Sequence, residues 1–316
     1  MLKMNDSEII LIGGFPASGK TTLVVDYPNH DRLNRDLIGG SLANIAEELE
    51  KRIILGKKKF VLDNTYSIKS QRKAIIDIGN KHGIPVVMLW MDTSIEDCQI
   101  NAVVRMIQRY GKLLMPEEIS AKKDPNMFGP EVLFMYRKNF EPPEQSEGFS
   151  SLQTIKFVRK VDPAHQGKAL FLDYDGTLRK TKSGAKFPTN VGDIEILPGR
   201  KKILQGYAEK GYKLFGVSNQ SGIAKGDLRL DVAKACFEFT NKLLGVSIEV
   251  AFCPHRVPPI CCYCRKPQTG LGIQFLQKHG LDRNQTLMIG DMTTDKTFAS
   301  RCGINYVPAD KFFKGE

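Results

Sequence analysis

Gly14-Phe15-Pro16-Ala17-Ser18-Gly19-Lys20-Thr21 decides how the first half of the chain is read. An apolar run, residues 9–12, comes before it and suits a buried strand. Residues 22–26 follow and can open a helix. A strand, a glycine-rich turn ending in Gly-Lys-Thr and a helix form a phosphate-binding loop. The glycines let backbone N–H groups face phosphate oxygens, and the helix start adds positive partial charge. Gly14, Ser18, Gly19, Lys20, Thr21 and Thr22 are the expected ATP-binding residues. Lys20 would reach the β- and γ-phosphates, and the Thr21 hydroxyl would ligate Mg2+.

Outward from this loop, strands alternate with helices. The expected fold class is α/β, with two doubly wound parallel-sheet domains, at residues 1–160 and 161–316. The chain has 316 residues, 41% hydrophobic and 26% charged, as in a globular protein. No apolar run approaches the ~20 residues of a membrane helix. Residues 1–8 lack a signal-peptide layout, so the expectation is a cytoplasmic protein with no membrane partner. The net charge of +11 is uneven, +3 over residues 1–160 and +8 over 161–316, which favours polyanionic partners. Of seven cysteines, Cys253, Cys261, Cys262 and Cys264 lie close together, which in a cytosolic chain reads as a metal site.

Asn34-Arg35-Asp36 follows a short second strand. Asp36 at the sheet's carboxyl edge can take a proton from an attacking hydroxyl, or can cap the next helix. Residues 41–55 and 67–82 pattern as helices, and 60–62, 84–91 and 154–158 as strands. Asp63-Asn64-Thr65 sits at one strand end, where Asp63 could hold a Mg2+-bound water or a substrate hydroxyl. Arg105 and Arg109 share a helical face; they are either a lid over the phosphates or a solvated basic face. A phosphate loop with a nearby carboxylate and an arginine lid suggests a small kinase.

Asn34-Arg35-Asp36, Asp63-Asn64-Thr65, Tyr136-Arg137-Lys138-Asn139-Phe140-Glu141-Pro142 and Glu147-Gly148-Phe149 resemble the kinase domain of the polynucleotide kinase–phosphatases. That resemblance covers most of residues 8–158. It implies Asp36 as general base for a 5′-hydroxyl, Lys20 on the ATP phosphates and Arg105 on the phosphoryl group. Phage members carry an arginine three residues after the base, whereas this chain has Gly39, as in the metazoan-type motif.

The second half opens on an apolar run ending in Asp173-Tyr174-Asp175-Gly176-Thr177-Leu178. Two aspartates one residue apart at a strand end can divide one task. Asp173 attacks phosphorus; Asp175 protonates the leaving alcohol and then activates water. Ser218-Asn219-Gln220 offers a phosphate-binding hydroxyl. Lys266 in Arg265-Lys266-Pro267 can neutralise the same phosphate. Asp291 would bind Mg2+ with Asp173, with Asp175 and Asp295 completing the set. This order is the pattern of the haloacid dehalogenase superfamily of phosphatases, over about residues 168–313. One helix, residues 200–210, is expected between Thr177 and the strand at Lys213, too little for a large cap. Arg179, Lys180, Lys182 and Lys186 lie in a stretch similar to the phosphatase domain of the same end-processing family. They would track a nucleic-acid backbone or form a solvated loop.

Cys253, His255, Cys262 and Cys264 form a closed tetrahedral zinc set that would pin the loop delivering Lys266. Cys261 is a competing ligand, and Arg265 a further phosphate contact. This loop resembles that of heptose bisphosphate and histidinol phosphatases. The expected whole is a nucleic-acid end-healing enzyme for DNA or RNA ends, using ATP, Mg2+ and structural Zn2+, upstream of a ligase. Its rivals are a small-molecule kinase fused to a sugar- or histidinol-phosphate phosphatase, and a non-catalytic strand-end binding protein, against which the intact Lys20, Asp36, Asp173 and Asp175 speak.

Overall fold

Central strands of parallel sheets are covered on both faces and therefore read as unbroken apolar runs. Ile9-Ile10-Leu11-Ile12 is such a run, and the computed structural model buries all four side chains. The structure describes residues 6–160 and 162–314. The expected domain boundary falls on residue 161, and the leader reading partly on residues 1–5, outside the described residues.

By contact the chain forms two units: one runs up to Asn101 and includes Glu131–Arg159, the other holds Ala102–Pro130 and the chain from Lys160 on. The helix Ile95–Tyr110 passes out of the first unit part-way along. Beyond it, the Leu113 N–H donates to Gln274 Oε1 inside the second unit, at 2.9 Å.

The first unit holds β1 (Glu8–Gly14), β2 (Asp31–Leu33), β3 (Lys59–Asp63), β4 (Val86–Asp92) and β5 (Ser151–Lys156). They form one parallel sheet in the order β2-β3-β1-β4-β5. Ile9 and Leu11 enter the core on one face, Ile10 and Ile12 that on the other, as the two-residue repeat of a strand requires. The helix Leu42–Ile54 starts at a Ser41 cap and buries Ile45, Ala46 and Leu49. The helix Lys69–His82 stops at Gly83, whose φ of +67° suits glycine. Its Arg72 is fully buried, pairs with Glu147 at 2.7 Å and donates to the carbonyls of Tyr66 and Glu141. Glu147-Gly148-Phe149 thus has a structural reason to be there. Three expectations shift: the last strand ends at Lys156, and helices Pro116–Lys122 and Pro130–Lys138 appear where none was read. After the glycine loop there is one helical turn, Lys20–Leu23, then a 3-10 turn, Val24–Asp26.

The second unit holds β6 (Gly167–Leu172), β7 (Arg179–Thr181), β8 (Ile194–Ile196), β9 (Lys213–Asn219), β10 (Glu249–Cys253), β11 (Leu281–Gly290) and β12 (Asn305–Pro308). Five of these form a parallel sheet in the order β10-β9-β6-β11-β12, over a core that includes Leu170, Leu172, Phe237 and Ile289. β7 and β8 form a separate antiparallel ribbon ahead of the helix Arg200–Glu209, so the span before β9 holds more than the single helix expected. The fold is α/β with two doubly wound parallel sheets. In each, the candidate chemistry lies at the carboxyl edge, where such sheets leave their crevice.

Candidate active sites

In the first unit, the turn after β1 is shaped by close approach. A Cβ on Gly14, at φ +150°, would lie 2.7 Å from Ser18 Oγ and 2.9 Å from Met91 Cβ. Gly19, at φ +98°, turns the chain into the short helix. The loop is held from behind: Thr93 Oγ1 donates to Ser18 O at 2.9 Å, and Asn101 Nδ2 to Ala17 O at 2.8 Å. Lys20 Nζ lies over the loop and donates to the carbonyls of Gly14 (2.9 Å) and Phe15 (2.7 Å). Thr21 Oγ1 donates to Asp63 Oδ2 at 3.3 Å, while Thr22 is exposed. Asp63 itself is buried and grips Arg32 through two bonds, Nε to Oδ1 at 2.9 Å and Nη2 to Oδ2 at 2.6 Å. The sequence reading left Arg32 out, since a lone arginine on a short strand carries no signal.

Asp36 lies in the first turn of the helix Arg35–Ile38 and is exposed. Asn34, not Asp36, is the cap: its Oδ1 accepts from the Asp36 N–H at 2.7 Å. Asn34 Nδ2 donates to Asp63 O at 2.6 Å, and Asn64 Oδ1 accepts from the Arg35 N–H at 2.9 Å. The two asparagines therefore join the ends of β2 and β3 and leave the Asp36 carboxylate outside that network. Both expected lid arginines are engaged at the turn 124–126. Arg105 Nη1 donates to Asn126 O at 3.3 Å, and Arg109 pairs with Asp124 at 2.5 Å.

The second unit brings together residues from three strand ends. Lys266 Nζ is 2.6 Å from Asp173 Oδ1 and 2.7 Å from Asp295 Oδ1, and all three side chains are largely or wholly buried. Burial pushes the Asp173 carboxyl up to about 6 against the pull of Lys266, with Asp295 adding to the rise. Burial works to lower Lys266, but Asp173 and Asp295 outweigh it, so its ammonium titrates above the usual lysine value. Asn219 anchors this lysine by its backbone: Nδ2 donates to Lys266 O and Oδ1 accepts from Lys266 N–H, both at 2.9 Å. Ser218 is buried and accepts from Gln220 Nε2 at 2.9 Å.

Oxygens of Asp173, Asp291 and Asp295 lie within 4.8 Å of one another. Three carboxylates are hard donors that fit Mg2+. The space is kept by Gly176, where a Cβ would fall 2.3 Å from Asp291 Oδ2. The Asp175 side chain, expected in the same set, turns elsewhere: Oδ1 accepts from Arg179 Nε at 2.8 Å and Oδ2 from Gln220 Nε2 at 3.1 Å. Arg179, expected in a basic loop, is buried and is not available to a nucleic-acid backbone. Lys180 pairs with Glu195 at 3.1 Å, and Lys182 Nζ donates to Gly192 O at 2.9 Å.

Cys253, His255, Cys262 and Cys264 place their donor atoms within 4.8 Å of one another. Cys253 Sγ is 3.7 Å from Cys262 Sγ and 3.4 Å from His255 Nδ1, and His255 Nδ1 is 3.2 Å from Cys264 Sγ. These edges suit a tetrahedron of three sulfurs and one nitrogen around zinc. Cys261 lies outside this set. Arg265 Nη1 donates to His255 O at 3.5 Å, within the same loop.

Residues 168–313 match the family model described as "Polynucleotide kinase 3 phosphatase". A probable D-glycero-D-manno-heptose-1,7-bisphosphate 7-phosphatase of Thermoplasma volcanium is 35% identical over 139 residues, 42% of this chain and 92% of that protein. The histidine biosynthesis bifunctional protein HisB of Legionella pneumophila (strain Lens) is 33% identical over 148 residues, 46% of this chain and 42% of HisB. The solved Pnkp1/Rnl/Hen1 complex contains a chain that aligns with 97% of this one over 98% of its own length, at 15% identity and a TM-score of 0.35. Through residues 168–313 the chain belongs to the haloacid dehalogenase-type phosphatases that include the heptose-bisphosphate 7-phosphatases, and ahead of them lies a parallel-sheet unit with a glycine-rich phosphate loop.

Proposed function

We propose that the chain heals broken nucleic-acid ends: it phosphorylates 5′-hydroxyls with ATP and hydrolyses 3′-phosphates, so that a ligase acting downstream can join the strand. The observation that carries this reading is the match of the phosphatase half to a polynucleotide-phosphatase model, in one chain with a phosphate-binding loop and the Asn34-Arg35-Asp36 motif. The two activities divide along the chain near residue 160.

In the first site Asp36 takes the proton of the 5′-hydroxyl as its oxygen bonds to the γ-phosphorus and the bond to the β-phosphate oxygen breaks. Lys20 leaves the loop carbonyls for the phosphates of the nucleotide. Arg105 meets the transferring group, and Arg109 contacts the nucleotide. Thr21 would hold Mg2+, with Asp63 fixing its hydroxyl.

In the second site an oxygen of Asp173 bonds to the phosphorus of the 3′-phosphate, the ester P–O bond breaks, and Asp175 gives its proton to the leaving 3′-oxygen. Asp175 then takes a proton from water, whose oxygen bonds to phosphorus and frees Asp173 and inorganic phosphate. Lys266, Ser218, Asn219 and Arg265 hold the phosphate oxygens. Asp173, Asp291 and Asp295 would hold Mg2+, which supplies positive charge against the phosphoryl oxygens. Cys253, His255, Cys262 and Cys264 would hold a structural zinc that fixes the loop carrying Lys266.

A second reading, phosphatase action on a small sugar phosphate, is favoured by the identity with the heptose-bisphosphate phosphatase. An oligonucleotide with 5′-hydroxyl and 3′-phosphate ends, assayed beside heptose bisphosphate and histidinol phosphate, decides. End healing predicts turnover of the oligonucleotide at both ends. Turnover of the small molecules alone would reject it.

A further inference from the structure

We infer that Arg179 is a positioning residue that sets which way Asp175 faces, and so governs how well the phosphatase expels an alcohol. The inference rests on the phosphatase chemistry above. It does not depend on the substrate being a nucleic acid.

Arg179 is 2% exposed, unusual for an arginine, and its Nε and Nη1 donors are engaged. Its Nη1 donates to Cys236 O and to Thr240 Oγ1, both at 2.8 Å, on the helix Leu230–Leu244. Its guanidinium carbon lies 5.2 Å from the centre of the Tyr174 ring and 5.1 Å from that of Phe237. With the group fixed by helix and rings, Nε is left to one task, the 2.8 Å bond to Asp175 Oδ1.

The two oxygens of Asp175 are therefore not equivalent. A guanidinium is always a donor, so Oδ1 remains an acceptor held by a rigid partner. Oδ2 meets Gln220 Nε2, which already has a second acceptor in Ser218 Oγ at 2.9 Å. Gln220 can release Oδ2 without losing its only bond, while Arg179 keeps the carboxyl plane in place. The geometry makes Oδ2 the oxygen that serves the leaving group, and Arg179 the residue that aims it.

The test compares two esters. p-Nitrophenyl phosphate expels an anion that needs little help from an acid. An alkyl phosphate, taken as whichever of the 3′-phosphorylated oligonucleotide and heptose bisphosphate the wild type hydrolyses, needs the proton. Arg179→Met should lower kcat/KM on the alkyl ester by ~100-fold or more, and on the aryl ester by less than ~5-fold, because general-acid help is worth ~100-fold or more. Arg179→Lys, which keeps a charged donor on a single nitrogen, should recover ~10-fold of the alkyl loss, on the scale of that same acid help. In an Asp175→Asn background, Arg179→Met should add no further alkyl loss, since the two act as a unit. Equal losses on both esters, or full additivity with Asp175→Asn, would overturn the assignment and leave the phosphatase reading intact. If Arg179→Met does not fold, Arg179→Lys alone decides by the same ratio of ester activities. A wild type inert towards both esters would overturn the phosphatase reading and this inference together.

Discussion

The two candidate sites differ in how finished they are. In the second unit, Lys266 is buried between Asp173 and Asp295, Asn219 holds its backbone, and Asp175 is gripped on both oxygens. In the first, Asp36 is exposed on a one-turn helix and Lys20 rests on the loop's own carbonyls. The contrast follows from the chemistry proposed for each. A site that makes its own covalent intermediate must hold its nucleophile ready, whereas a site that uses a nucleotide is completed by the nucleotide's phosphates. The acid–lysine cluster of the second site is assembled without ligand, whereas Lys20 of the first donates to the carbonyls of Gly14 and Phe15.

The strongest way to break this contrast is Lys266→Met. It leaves two buried carboxylates facing each other and should cost about 3–5 kcal/mol of stability, along with phosphatase activity. Urea denaturation followed in the second unit measures it; a loss below about 1 kcal/mol would mean that the ion triad is not preassembled. Next in size is removal of zinc by a chelator. Metal analysis should find about one zinc per chain, and its loss should lower phosphatase activity by ~10-fold or more while sparing 5′-phosphorylation. Unchanged phosphatase activity in a zinc-free chain would remove the metal from the account.

Gly176→Ala is smaller. It puts a Cβ at φ +85° against Asp291 Oδ2 and should cost about 1–3 kcal/mol, with weaker Mg2+ dependence of turnover. An unshifted Mg2+ titration would show that Asp291 is not a ligand. The smallest stability effect is expected for Lys20→Ala, within about 0.5 kcal/mol. The same variant should lose the rise in melting temperature that ATP gives the wild type. A large destabilisation there would make Lys20 a structural residue and erase the contrast.

What the sequence showed of these sites follows from how local each signal is. The phosphate loop, the Asp173-Tyr174-Asp175 pair and the Cys253/His255 and Cys262/Cys264 pairs are short local motifs, and the fold brings those four Cys and His donor atoms within 4.8 Å of one another. Arg179 lies in a lysine- and arginine-rich stretch that has the composition of a solvated loop. Only the packing of helix Leu230–Leu244, more than fifty residues on, shows that it turns inward. The sequence suits Asp63 to a Mg2+-bound water or a substrate hydroxyl but does not reveal its partner Arg32, since nothing in sequence links residues that β2 and β3 bring side by side. The Asn34 cap was hidden for the opposite reason: Asn and Asp are both good caps two residues apart, and backbone geometry chooses between them.

We propose that separate sites in one chain serve opposite ends of one polymer. The most direct measurement gives a single oligonucleotide, with 5′-hydroxyl and 3′-phosphate ends, to the wild type, Asp36→Ala and Asp173→Asn, and resolves all products. Both end changes are expected with the wild type, only 3′-dephosphorylation with Asp36→Ala, and only 5′-phosphorylation with Asp173→Asn. Loss of both reactions in either variant, or no change at either end with the wild type, would contradict it.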